Sequence, residues 1–408
     1  MGSWVARIVV AVVGIWLAFS GWLIVGVVLA LCSMGFWILD RLYNRVASID
    51  PVVVSPQATA LHESSMVADL HADICLWDRD LRKRHWRGHV DMPRLREGGV
   101  GLQFVTVPTK LVYTKRAPRF FLADLFFWGS MLSQEMPHRW FNTAARARLQ
   151  ARRAEKWVAE SEGGLVLIRD KGALAGLAER QAAGDEVTGI MLGLEGAHAL
   201  RDGLDVPWLA DKGFSVLGLT HFNDNRFADS SHGWKKRGLS AAGRELCKEL
   251  ETHSITIDLA HASEAVIDDV LAMREAGELR RPLLVSHTGV RGAHDHRRNI
   301  ADRQAVAVAR GGGLIGVSFF KPALVRADLD ALVETVRYVI ELLDEAGLEG
   351  ARHVALGSDF DGAVRTAIDA TGWPQITQKL LDSGLSEEHL RQVLGENVLR
   401  FFGDSLPD

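Results

Sequence analysis

Six segments of the chain put a histidine or a carboxylate directly after a short apolar run rich in Val, Ile and Leu. His71-Ala72-Asp73 follows Val67–Asp69, Glu195 follows Ile190–Leu194 and His221 follows Val216–Thr220. His261 follows Ile255–Leu259, His287 follows Leu283–Ser286 and Asp359 follows Val354–Gly357. Imidazole and carboxylate together suit Zn²⁺. In His71-x-Asp73, alternation along an extended segment places both side chains on one side, as a shared ligand pair requires. A central Glu195 can bridge two ions, and His261 and His287 complete the second. Two ions about 3.5–4 Å apart can hold a hydroxide between them and polarise a substrate carbonyl. Asp359 would then carry a proton from the water to the leaving amine. Each residue alone is weak evidence, because a lone histidine after a strand is usually a cap or a satisfied core residue. Six such groups at the same end of one fold are hard to attribute to chance.

The apolar runs are the elements that must position these groups. Val100–Val107 and Leu314–Phe319 bring the set to eight, and helical patterns such as Gly243–Thr252, Glu264–Glu275, Ala327–Glu345 and Glu387–Leu399 lie between them. Continuous apolar strands suit a parallel sheet buried on both faces. Eight of them alternating with helices predict an α/β fold, a (β/α)₈ TIM-type barrel whose active site lies at the C-terminal ends of the strands. A doubly wound open sheet is the alternative, weakened because no Gly-rich dinucleotide fingerprint follows any strand.

Composition excludes other classes. The 408 residues carry 47 Lys and Arg against 51 Asp and Glu, a net charge of −4, so nothing in the bulk charge marks a nucleic-acid binder. Three cysteines in a chain of this length exclude a disulfide scaffold. The amino terminus is different in kind. From Ile8 to Leu39 no residue is charged. A membrane span needs about 20 apolar residues, and a signal-peptide core only ~7–15. The run therefore predicts an N-terminal transmembrane or membrane-embedded helical segment, either one tilted helix or a hairpin broken near Ser20-Gly21, with the protein held at the cell membrane. Arg7 on one side and Arg41 and Arg45 on the other leave the orientation open. The expected organisation is an anchor over 1–49, a linker over 50–65, a barrel over 66–403 and a tail over 404–408. An aromatic insertion over about 111–153 follows the second strand. Its segment from Phe120 to Trp140 is read either as a barrel helix packed on its neighbours or as a contact with the bilayer or a second subunit, the latter allowing a homodimer.

Longer stretches carry a resemblance. DLHAD at 69–73, GHVDMPRLREGGVGLQF at 88–104, GLEGAHAL at 193–200, LGLTHFNDNRFADSS at 217–231, ITIDLAHAS at 255–263, PLLVSHTGVRGAHDHRRN at 282–299, HVALGSDFDGA at 353–363 and GENVLRFF at 395–402 stand in this order. From about Met66 to Gly403 the chain resembles the membrane (renal or microsomal) dipeptidase family, peptidase family M19, metal hydrolases of the amidohydrolase kind. The resemblance implies two Zn²⁺ ions per chain and dipeptide substrates. It implies His71 and Asp73 on one ion, Glu195 bridging, His261 and His287 on the other, and Asp359 as acid/base. It also implies that His221 faces the scissile carbonyl and stabilises the oxyanion, and that Arg298 holds the substrate. Asp361 reads as fixing a turn. His198, His294 and His296 read as packing or shaping the site, and His62, His85, His89, His138, His232, His253 and His389 as surface or local hydrogen-bonding residues. Two other readings compete: another two-metal amide or lactam hydrolase on the same scaffold, and a membrane-tethered binding protein with a dead site.

Overall fold

A computed structural model describes residues 37–47, 52–111, 137–201 and 203–408, together with residues 11–13, 15, 16, 124 and 126. Eight parallel strands form the frame: β1 Val67–Asp69, β2 Val100–Pro108, β3 Thr188–Glu195, β4 Phe214–Gly218, β5 Thr256–Asp258, β6 Leu284–Thr288, β7 Leu314–Val317 and β8 Val354–Leu356. Each pairs with the next in sequence, from β1 beside β2 through to β7 beside β8. Closure comes at the ends of that order, where the Leu70 amide donates to the Leu356 carbonyl at 3.0 Å and the Asp73 amide to the Phe360 carbonyl at 2.9 Å. The result is the (β/α)₈ barrel anticipated from the alternation of apolar runs and helical patterns. Helices such as Ala241–Thr252, Glu264–Glu275, Asp302–Arg310 and Leu329–Glu345 bury one face each against it.

The strands hold because both faces are apolar or internally satisfied. Every residue of β3, β4, β6 and β7 is buried. Small residues let strands approach: a Cβ added to Gly357 would lie 1.9 Å from the Ser286 carbonyl oxygen. One further short strand, Leu165–Leu167, pairs with β3 outside the barrel order. The pattern over 387–399, expected as one helix, is interrupted. An α-turn, Glu387–Arg391, runs into a π-turn, Gln392–Glu396, before the helix Asn397–Ser405. The interruption falls at Gly395, whose φ of 179° and ψ of −20° leave the helical region, and which packs where any Cβ would meet the Met66 carbonyl oxygen at 2.3 Å.

The apolar run from Ile8 to Leu39 lies mostly outside the described residues. No described helix is long and apolar enough to cross a membrane. The segment just after the run is fastened to the barrel. Residues 37–43 are helical, and Arg45–Val46 pairs in parallel with Arg365–Thr366 just beyond β8. Buried Asp40 meets the guanidinium of Arg87 at 2.7 Å and that of Arg79 at 3.1 Å. The stretch expected as an anchor over 1–49 thus ends in a segment, 37–47, that packs on the barrel, and the expected linker over 50–65 contains a helix, Pro56–Glu63, with Ala58, Leu61 and His62 buried. Most of the aromatic stretch from Phe120 to Trp140 also lies outside the described residues. Asp124, Phe126 and residues 137–140 do not, the last opening the short helix Pro137–Phe141. Asp124 forms a buried ion pair with Arg146 at 2.7 Å, and Phe126 is buried with its ring centroid 6.4 Å from that of His221.

Candidate active site

Strand ends deliver the chemistry to one place. Glu195 closes β3, and His71, His221, His261 and Asp359 stand two or three residues past the ends of β1, β4, β5 and β8. His287 is the penultimate residue of β6. Three overlapping donor sets result, each with its donor atoms within 4.8 Å of one another: His71, Asp73 and Glu195; Glu195, His261 and His287; and His71, His287 and Asp359. Glu195 Oε1 sits 3.6 Å from His71 Nε2, 3.1 Å from His261 Nε2 and 3.7 Å from His287 Nε2. All six side chains are buried. The five sequence-predicted ligands thus meet at one carboxylate, which belongs to both of the anticipated triads.

Two of these residues hold uncommon backbone. His261 has φ 61° and Asp359 φ 60°, left-handed values that cost a non-glycine residue about 1–3 kcal/mol. Gly196, next to Glu195, has φ 86°, and a Cβ there would press on the His221 backbone at 3.1 Å. The strands thus end in tight turns that aim side chains inward.

Outer hydrogen bonds set the tautomers. The Ser286 hydroxyl donates to Asp258 Oδ2 at 2.6 Å, so its oxygen accepts the Nδ1–H of His287 at 2.8 Å. That leaves the Nε2 lone pair of His287 facing the centre, as a metal-ligating histidine requires. The Thr106 hydroxyl orients Asp73 at 2.6 Å. Asp69 accepts from the Ser358 amide at 2.8 Å and hydroxyl at 2.6 Å, which ties β1 to the turn bearing Asp359. Asp361 accepts the His89 amide at 2.7 Å and pairs with Arg79 at 2.7 Å, so it fixes that turn as read from the sequence.

The electrostatics describe a centre short of positive charge. Burial, reinforced by the neighbouring carboxylates, raises Glu195 well above its ordinary value, and burial lifts Asp359 to about 7. Burial opposes a charge on His71, yet Glu195, Asp73 and Asp359 outweigh it and hold that imidazole up at about 10. His261 and His287 are pushed well below the ordinary range by burial and by Arg298. Buried polar atoms with no hydrogen-bond partner include His71 Nε2 and Glu195 Oε2. Buried carboxylates crowded together, imidazole lone pairs converging and donors left unpaired are the conditions that divalent cations satisfy. The residues fit a metal centre.

His221 and Arg298 border it. His221 Nδ1 lies 3.1 Å from the Lys110 carbonyl oxygen, which can only accept, so the proton sits on Nδ1. Its Nε2 points at Glu195 Oε2, 3.4 Å away. Arg298 is buried, and one Nη donates to the His287 carbonyl oxygen at 2.7 Å. Its Nε has no partner, and no carboxylate among the described residues pairs with it. Two neighbours escaped the sequence reading. His232, expected to be a surface or local hydrogen-bonding residue, stacks on Phe222 at 4.4 Å with its ring 5.7 Å from that of His261. Phe126 comes from the aromatic insertion. Neither carries a local signal, because only the fold brings them to the mouth.

The sequence profile of the membrane dipeptidase family, peptidase family M19, matches residues 55–405. The chain belongs to that family. Membership places it among metallopeptidases of the dipeptidase type, a class that works with a metal cofactor. Among curated proteins, an uncharacterised dipeptidase of Schizosaccharomyces pombe is 31% identical over 222 residues, covering 52% of this chain and 51% of that protein. Dipeptidase aclJ of Aspergillus oryzae is 28% identical over 363 residues, 83% of this chain and 78% of that protein. The chain thus spans about half the length of the first relative and more of the second. Among solved structures, dipeptidase AC, a metallopeptidase of family M19, superposes with a TM-score of 0.67 at 22% identity, covering 85% of this chain and all of that one. A Rhodobacter sphaeroides metallopeptidase liganded with a phosphinate mimic of the dipeptide L-Ala-D-Ala gives 0.68 at 22% identity, over 84% of this chain and 100% of its own. These two likenesses establish the fold of the family member.

Proposed function

We propose that this chain is a membrane-anchored, zinc-dependent dipeptidase. The carrying observation is the pair of donor triads sharing Glu195, with an unpaired buried arginine beside them. His71 and Asp73 would hold one Zn²⁺, His261 and His287 the other, and Glu195 both. The bound ions would supply a nucleophilic water at neutral pH and polarise the scissile carbonyl.

The chain's own residues do the rest. Arg298 offers an unpaired, planar N–H donor in a buried site, which suits the C-terminal carboxylate of a dipeptide. Asp359, raised to about 7, sits where it can take a proton from water and return it to the leaving amine near neutral pH. His221 takes a different part from the one expected. With its proton committed to the Lys110 carbonyl, Nε2 presents a lone pair and cannot donate to an oxyanion. We assign it instead to an N–H of the substrate, so that it orients the amide. Support for dipeptides as substrates comes from the Rhodobacter sphaeroides metallopeptidase of the same fold, solved with a dipeptide mimic. The apolar run from Ile8 to Leu39 supports the anchor.

The test is a comparison of substrates on zinc-loaded protein. Free dipeptides should be cleaved, and the same dipeptides amidated at the C-terminus should be cleaved far more slowly. Equal rates on both would remove the carboxylate role of Arg298 and with it the preference for dipeptides.

A further inference from the structure

The charge-free run stops at Leu39, and the next residue is already part of the barrel. Asp40 Oδ2 reaches the guanidinium groups of Arg87 at 2.7 Å and Arg79 at 3.1 Å. Arg79 in turn pairs with Asp361, two residues from Asp359, at 2.7 Å. Asn44 accepts the Ala363 amide at 3.0 Å and donates to Asp40 at 2.9 Å. The Ala47 amide then donates to the Thr366 carbonyl at 2.7 Å. The chain leaving the apolar run is therefore clamped to the loops that follow β1 and β8, at the mouth of the active site.

Exposed apolar side chains are distributed with the same bias. The described barrel over residues 55–408 exposes four large ones: Trp86, Phe141, Trp234 and Val325. Trp86 stands after β1, Phe141 after β2, Trp234 after β4 and Val325 after β7. All four belong to connections that leave the C-terminal ends of strands. None of the four lies in a connection leading into a strand, and exposed Val53 precedes that range, in the segment that leads through the helix Pro56–Glu63 to β1. The clamped segment adds Ile38, Leu42, Tyr43 and Val46, all exposed. Arg41 and Arg87 pack on the ring of Trp86, and Arg87 also on that of Trp37. Aromatic rings interleaved with arginines suit a boundary that is apolar on one side and wet on the other.

We infer that the catalytic face of the barrel lies against the phospholipid bilayer that the apolar run enters, so that the active-site mouth opens into the headgroup layer. The inference rests on the membrane anchor proposed above. The two observations are independent of each other: the clamp leaves no spacer between the run and the mouth, and the four large apolar residues exposed over 55–408 all stand in connections that leave the C-terminal ends of strands. Substrates would then be captured from the membrane surface, which favours amphipathic dipeptides.

The test uses the full chain carrying Cys32→Ser, since Cys75 and Cys247 are buried. Single cysteines replace Trp86 or Trp234 at the mouth, or exposed Asp185 or Glu349 at the opposite end, and each receives an environment-sensitive fluorophore. The proteins are reconstituted in vesicles of phosphatidylcholine and phosphatidylglycerol, with or without a lipid nitroxide near the headgroup. Cooperative thermal unfolding confirms that each variant is folded. Flotation with the vesicles reports the anchor, and quenching reports the orientation. The expected result is flotation of all four, with emission lost at 86 and 234 and kept at 185 and 349. Flotation with equal emission at all four positions would overturn the orientation alone. Protein that fails to float would overturn both the anchor and the orientation. Asp40→Ala should still float but lose the quenching at 86, because it cuts the clamp and leaves the apolar run intact. Unchanged quenching in that variant would overturn the clamp as the cause of the orientation.

Discussion

At the scale of single residues, the sequence was most informative about the groups that converge at the strand ends and least about those that orient them. His71, Asp73, Glu195, His261, His287 and Asp359 were legible because each follows a recognisable apolar run. Ser286, Asp258, Thr106 and Ser358 were not, since their roles exist only once neighbouring strands align. The same holds for the proton on His221, which depends on a carbonyl 111 residues away at Lys110. Asp359→Asn keeps the shape of the side chain and removes the proton carrier, so turnover should fall by ~10²–10⁴-fold with the fold intact. Near-normal turnover would show that the proton travels by another route. Asp359 also predicts a pH effect on metal-free protein. Burial raises its folded value to about 7 from an ordinary 3.8. A group raised in the folded state stabilises fully below its unfolded value, and that contribution is lost as pH rises through the folded value. Chelated wild type should therefore lose stability relative to chelated Asp359→Asn as pH rises from about 4 to about 7. Thermal unfolding of the two across that range checks the sign, and parallel curves would count against it.

Elements were legible to within a few residues wherever an apolar run was buried on both faces. β1 was read with its observed bounds, and the helix Glu264–Glu275 likewise. Leu165–Leu167 was missed because a three-residue strand has too short a pattern to stand out. The helix expected over 387–399 was misread because helical periodicity does not register what Gly395 packs against. The middle of β6 also holds the most informative outer contact, Ser286. It accepts from His287 and donates to Asp258, and its hydroxyl lies 3.4 Å from His71 Nδ1. Ser286→Ala should weaken metal affinity by roughly 10–100-fold, the usual cost of losing such a partner. Isothermal titration of chelated protein with Zn²⁺ measures this, and unchanged affinity would mean that the tautomer of His287 is set elsewhere.

For the whole molecule, the anchor and the barrel are less separable than the sequence implied. A boundary near residue 50 looked safe because every candidate site residue follows Val67. The structure puts Asp40 and Asn44 inside the barrel's own network, a long-range pairing that no local pattern encodes. Removing one partner of a buried ion pair costs about 3–5 kcal/mol. A chain starting at Trp37 should therefore unfold at a clearly higher temperature than one starting at Pro51, which leaves Arg87 without Asp40. Equal melting temperatures would show that the docked segment adds nothing to barrel stability.

The proposed chemistry turns on a two-cation centre organised by Glu195. Metal content of the active, unchelated enzyme, measured by elemental analysis beside Glu195→Gln, tests it most directly. About two zinc-like ions per wild-type chain are expected, with both lost or weakened together in Glu195→Gln because one carboxylate would serve both sets of ligands. An active wild-type preparation with no bound metal would contradict it, as would a Glu195→Gln variant that keeps its full complement.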